Sequence, residues 1–130
     1  MYVLDTNSVV LFFKGRGRVA ENLHLKSRRE IAIPVIVLYE LEVGALQSSA
    51  PDKRRAQLEE LTRWVRLLPF GPAEAVVAAQ IRAQLEKIGQ PIGPYDTLIA
   101  ATALRRGATL VTHNVREFGR VAGLTVEDWF

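Results

Sequence analysis

The sequence predicts an α/β fold, a single domain over residues 1–130 in which a short parallel β-sheet is flanked by helices on both faces. Three observations lead there. Short apolar segments alternate with longer segments of helical periodicity. The segments of strand length are apolar throughout rather than alternating, as strands buried on both faces are. Successive strands are separated by helices, the crossover connection that parallel neighbours require. With 130 residues, 48% of them hydrophobic and 24% charged, the chain suits one domain with a real core and is far from a disordered composition.

Tyr2 to Asp5 reads as a buried strand, and Thr6-Asn7-Ser8 starts a helix through Val9, Val10, Leu11, Phe12 and Phe13. Lys14-Gly15-Arg16-Gly17 breaks it, and Val19 to Ser27 suits a short second helix. Ile31-Ala32-Ile33 reads as the second strand, closed by Pro34, which starts a helix through about Leu46. After the loop Gln47 to Pro51, Asp52 to about Trp64 carries Leu58, Leu61 and Val65 at helical spacing, and Arg66 to Pro69 suits a third strand. Pro72 to Ile88 is a long helix with an apolar stripe of Val77, Ile81, Leu85 and Ile88, stopped by Gly89. Pro94 sits where a first helical residue is favoured, and Tyr95 to Arg106 forms a helix ended by Gly107. Thr109 to Thr112 reads as a fourth strand, Arg116 to Phe118 as a short helical segment and Leu124 to Val126 as a fifth strand.

No apolar run approaches the length of a membrane span and no signal-peptide pattern is visible, so a cytoplasmic location is expected. The chain has no cysteine, which removes disulfides and thiolate chemistry and leaves oxygen atoms or the two histidines as metal donors. Net charge is +3, with basic clusters at Lys14, Arg16 and Arg18, at Arg28 and Arg29, and at Lys53 to Arg55 that suit a polyanionic partner or simply solvated helix faces.

Ligands of parallel sheets bind beyond the carboxyl ends of the strands, which directs attention to residues just after them. Asp5 ends the first strand, where it can serve as a helix N-cap or as a functional carboxylate. In the helix after the second strand, Glu40 emerges among Ile36, Val37, Val43 and Gly44, and Glu42 among Leu38, Tyr39, Ala45 and Leu46. Helical arithmetic does not choose between these two. Asp96 heads an apolar stripe of Ile99, Ala100, Ala103 and Gly107, while Thr102, Arg105 and Arg106 lie elsewhere on that helix. A first-turn acid also complements the helix dipole, but one beside an inward stripe is costly to leave unpaired. Three carboxylates near one end of a sheet repel one another unless a cation lies between them, and hard Mg²⁺ or Mn²⁺ prefers oxygen ligands and supports phosphodiester hydrolysis.

At these residues the chain resembles the PIN-domain ribonucleases, and within them the VapC toxins of bacterial toxin–antitoxin pairs. The resemblance is carried, in family order and over nearly the whole chain, by four pieces: Tyr2-Val3-Leu4-Asp5-Thr6-Asn7; Leu38-Tyr39-Glu40-Leu41 with Gly44; Pro91-Ile92-Gly93-Pro94-Tyr95-Asp96 with Ile99-Ala100; and Val111-Thr112-His113-Asn114-Val115-Arg116-Glu117-Phe118. It selects Glu40 over Glu42 and implies a metal site of Asp5, Glu40 and Asp96, with Thr6 and Thr112 as hydroxyls orienting the ligands. Many relatives have a further Asp where this chain has Asn114, so Asn114 or nearby Glu117 completes the site. The resemblance further implies Mg²⁺-dependent endonucleolytic cleavage of RNA, with transfer RNA the favoured target. It also implies a homodimer and a heterotetramer or larger assembly with a small VapB-like antitoxin that blocks the site.

Rival readings are a catalytically impaired RNA-binding or regulatory module of the same fold, or a housekeeping nuclease. A phosphatase that uses a strand-end Asp as nucleophile needs a second Asp two residues on, where Asn7 stands. His113 and His24 read as surface residues, and Trp64, Trp129 and the phenylalanines as core or dimer contacts rather than stacking platforms.

Overall fold

The computed structural model describes residues 1–130. Five strands form one sheet in the order β3-β2-β1-β4-β5, all neighbours parallel. They are β1 (Tyr2–Leu4), β2 (Ile31–Pro34), β3 (Arg66–Leu68), β4 (Thr109–Val111) and β5 (Thr125–Glu127). Between them run α1 (Thr6–Phe13), α2 (Val19–His24), α3 (Val35–Leu46), α4 (Pro51–Trp64), α5 (Pro72–Lys87), α6 (Pro94–Arg105) and α7 (Val115–Phe118). The chain builds outward from β1 to β3 on one side, then returns through α5 and α6 to β4 on the other. Right-handed crossovers therefore put α1 to α4 on one face and α5 and α6 on the opposite one.

The three inner strands match the expected apolar runs: Val3, Leu4, Ile31, Ala32, Ile33, Leu110 and Val111 are all fully buried or nearly so. The edge strands differ from expectation. In β3 only Leu68 is buried, and in β5 Thr125 and Glu127 are exposed, because a strand at the rim has a neighbour on one side only. The core joins these strands to Val37 and Leu41 of α3, Leu58 and Leu61 of α4, Ile81 and Leu85 of α5, and Ile99, Ala100 and Ala103 of α6.

Element ends follow local chemistry. Gly89 and Gly107 adopt φ of 69° and 63°, the left-handed conformation that ends a helix at little cost to glycine. Helix α2 stops at His24 instead of reaching Ser27, because Ser27 caps a separate 3₁₀ turn, Arg28–Glu30, with a reciprocal bond from its own N–H to Glu30. Ile88, expected on the apolar stripe of α5, lies past the helix end and is half exposed, while Ala78 takes the inward position. Thr102, expected off the buried face of α6, is fully buried, since α5 packs along the outer side of that helix. Its hydroxyl satisfies itself by donating to the Leu98 carbonyl at 2.8 Å.

Candidate active site

β1 and β4 are neighbours at the point where the chain reverses its direction of sheet building, the place where parallel sheets open a crevice at their carboxyl ends. Asp5 follows β1 and Thr112 follows β4. The Asp5 N–H donates to the Val111 carbonyl at 3.1 Å, extending the ladder by one residue and fixing the carboxylate beside β4. Asp5 is 4% exposed. Its Oδ1 accepts the Ser8 N–H at 2.8 Å, so it is the N-cap of α1. Burial raises its pKa, opposed by the Thr112 hydroxyl and the Ser8 N–H, with the Asp128 carboxylate adding to the rise.

Glu40 and Glu42 are both partly exposed on α3, but they meet different partners. Glu40 Oε1 accepts the Thr6 hydroxyl at 2.7 Å, which turns it toward the start of α1 and toward Asp5. Glu42 faces α4 and pairs with Arg55 at 3.6 Å. Asp96, in the first turn of α6, is pushed up to about 6, chiefly by burial and then by the carboxylates of Glu40, Asp5 and Glu117. The predicted acids therefore share one electrostatic neighbourhood. Glu117 on α7 belongs to it, with its Oε2 accepting the Asn114 side-chain amide at 2.9 Å. Asn114 is itself held by its N–H donating to the Thr112 hydroxyl at 2.9 Å. At the fourth position the amide thus holds a carboxylate that lies close enough to Asp96 to shift it.

No three of these side chains converge on one point. A donor set made only of oxygen atoms suits a hard divalent ion, which keeps much of its hydration and takes only one or two carboxylates directly. The largest cavity, about 580 Å³ and lined by Phe12, Phe13, Leu23, Leu61 and Trp64 among others, contains none of the four acids. It is apolar, and the chemistry lies elsewhere.

Sequence reasoning missed three groups. Ser8 is buried, gives its N–H to Asp5 and its hydroxyl to the Val111 carbonyl at 3.1 Å; its signal was a small polar residue three positions after a candidate cap. Asp128 reaches the site only because β5 pairs with β4, and it holds His113 at 3.0 Å. Tyr39 and Tyr95, each one residue before a site acid, meet edge to face with ring centroids 5.6 Å apart. Tyr95 is raised by the Tyr39 phenol and by the charge of Glu40. His113 is half exposed, His24 is exposed, and Trp129 is buried, as the sequence suggested.

The chain is similar to the tRNA(fMet)-specific endonuclease VapC of Salmonella typhimurium, with 38% identity over 129 residues, 98% of this chain and 97% of the relative. It is 34% identical over 128 residues to ribonuclease VapC2 of Haemophilus influenzae, covering 98% and 97% of the two. Among solved structures it superposes on VapBC2 of Rickettsia felis bound to a promoter DNA fragment with a TM-score of 0.93 and 34% identity, covering 99% and 98%. For DNA-bound VapBC of Salmonella typhimurium the TM-score is 0.92, with 37% identity over 99% and 98%. The PIN domain family matches residues 2–124, and with these relatives along its whole length, the chain belongs to that family.

Proposed function

We propose that this chain is a divalent-metal-dependent endoribonuclease, the toxin of a toxin–antitoxin pair, and that its substrate is transfer RNA. The observation that carries the reading is the geometry: Thr6 turns Glu40 toward Asp5 where β1 and β4 meet, and Asn114 holds Glu117 on the same side, so that acids from separate elements crowd one end of the sheet and, with burial, push Asp96 up to about 6. The names of the relatives support RNA as the substrate, and the VapBC complexes support a small antitoxin as the partner. No helix is long and apolar enough to cross a membrane, and we place the protein in the cytoplasm with its substrate, as a homodimer that joins its antitoxin in a heterotetramer or larger assembly.

Asp5, Glu40 and Asp96 would hold the cation, Mg²⁺ or in its place Mn²⁺. When bound, that cation supplies charge stabilisation at the scissile phosphate and lowers the pKa of water. The protein's own part is orientation. Ser8 fixes Asp5, Thr6 turns Glu40 inward, Thr112 anchors Asn114, and Asn114 keeps Glu117 against the site so that a fourth negative charge is present although position 114 is neutral. Such supporting contacts are commonly worth 10–100-fold in metal affinity or activity. Retention of all four carboxylates argues against the catalytically impaired module.

The test is direct. Purified protein freed of antitoxin, incubated with tRNA and Mg²⁺ or Mn²⁺, is expected to cut at internal positions, with cleavage abolished by EDTA and by Asp5→Asn. Wild-type protein no more active than Asp5→Asn under these conditions sinks the reading.

A further inference from the structure

A second cleft leaves the acidic site and runs between α1, α3 and α4, enclosing about 270 Å³. Thr6 and Glu40, joined by their 2.7 Å hydrogen bond, form its acidic end. Lys14, just past the end of α1, and Arg54 on α4 line it further along. Eight residues of helix separate Thr6 from Lys14, a rise of about 12 Å. That is roughly three stacked nucleotide steps of one strand at 3.4 Å each. Both cations are exposed and neither makes a salt bridge; Arg54 donates only to Gln57, at 2.9 Å. Unpaired cations leading up to a cluster of carboxylates are arranged for an anionic chain that must be held while its phosphate approaches those acids.

Gly44 is the second observation. It lies inside α3, one turn after Glu40, where glycine is the weakest helix former apart from proline, and it lines the same cleft. A Cβ built there meets nothing within 4 Å, so no packing inside the protein requires the missing side chain. What its absence does preserve is open space on the cleft wall beside Glu40.

We propose that this cleft is the track for the RNA backbone on one side of the scissile phosphate, with Lys14 and Arg54 binding phosphates and Gly44 keeping the wall clear for the strand. The inference rests on the nuclease reading for its direction, but its first test needs no cleavage. Binding of a fluorescein-labelled unstructured RNA decamer to the EDTA-treated chain is followed by anisotropy across salt concentrations. Each lost phosphate contact should flatten the slope of log affinity against log salt by about 0.7, so the Lys14→Gln/Arg54→Gln double variant should lose about 1.4. Lys87→Gln, at the far end of α5, should keep the wild-type slope. Gly44→Ala should melt no lower than wild type yet cleave tRNA in Mg²⁺ with KM raised at least about fivefold. An unchanged slope in the double variant, or wild-type KM in Gly44→Ala, overturns the assignment of the cleft to RNA, and a polypeptide becomes its occupant. A chain that shows the expected slopes but cleaves nothing keeps the cleft and sinks the nuclease reading instead.

Discussion

Burial and three neighbouring carboxylates lift Asp96 from 3.8 to about 6, so ionising it in the metal-free chain opposes folding. The folded chain binds this proton more tightly than the unfolded one. Its stability contribution is therefore fully present below about pH 4 and is lost as pH rises toward 6. Partial solvent exposure of the group limits the loss to the order of 1–2 kcal/mol. Asp96→Asn removes this charge: in EDTA at pH 7 the variant should melt above wild type, while its cleavage of tRNA in Mg²⁺ falls by at least about 10²-fold. Thermal melts from pH 4.5 to 7.5 check it, and a variant melting below wild type at pH 7 contradicts it. Asp5 shows a different property of single residues. The sequence left it as either cap or functional acid; the structure shows the cap, and the cap does not exclude the other role, because a carboxylate has two oxygens and the Ser8 N–H uses one.

At the scale of elements, α3 shows what periodicity leaves open. Its residues are apolar on nearly every side, so the positions of Glu40 and Glu42 carry no orientation that a pattern can read. Their partners settle it, and these come from other elements: Thr6 at the start of α1 for Glu40, Arg55 on α4 for Glu42. Glu40→Gln should therefore reduce cleavage at least about tenfold with little change in melting temperature. Glu42→Gln breaks a surface ion pair and should cost under about 1 kcal/mol while leaving cleavage within about twofold of wild type. Parallel assays of the two variants check the contrast, and equal losses of activity would refute the assignment. Helix α6 makes a related point, since its buried Thr102 reflects the packing of α5, which no period within α6 encodes.

For the molecule as a whole, the core and the candidate site are separate. The sheet and the inward helix faces form one cluster of 27 buried apolar residues, and the acids stand at its carboxyl edge. Chelation should therefore abolish cleavage with no loss of secondary structure; a far-UV circular dichroism spectrum that collapses in EDTA at pH 7 would overturn this separation. The order β3-β2-β1-β4-β5 brings Asp5 and Thr112, 107 positions apart in the chain, to adjacent strand ends. By itself the sequence determined the number and order of strands and helices, the burial of the inner strands, and the candidacy of Asp5, Glu40, Asp96 and Glu117, because these follow from local periodicity, capping chemistry and recognisable motifs. Only the tertiary structure decided that Thr6 orients Glu40, that Asn114 holds Glu117, that Ser8 and Asp128 border Asp5, and that a cleft with two unpaired cations leads to the acids. The Thr6–Glu40 bond, the approach of Asp128 to Asp5 and the cleft join residues far apart in sequence and are set by strand order and helix packing, whereas Ser8–Asp5 and Asn114–Glu117 span three residues and depend on side-chain geometry at the helix starts that no pattern of residue types specifies.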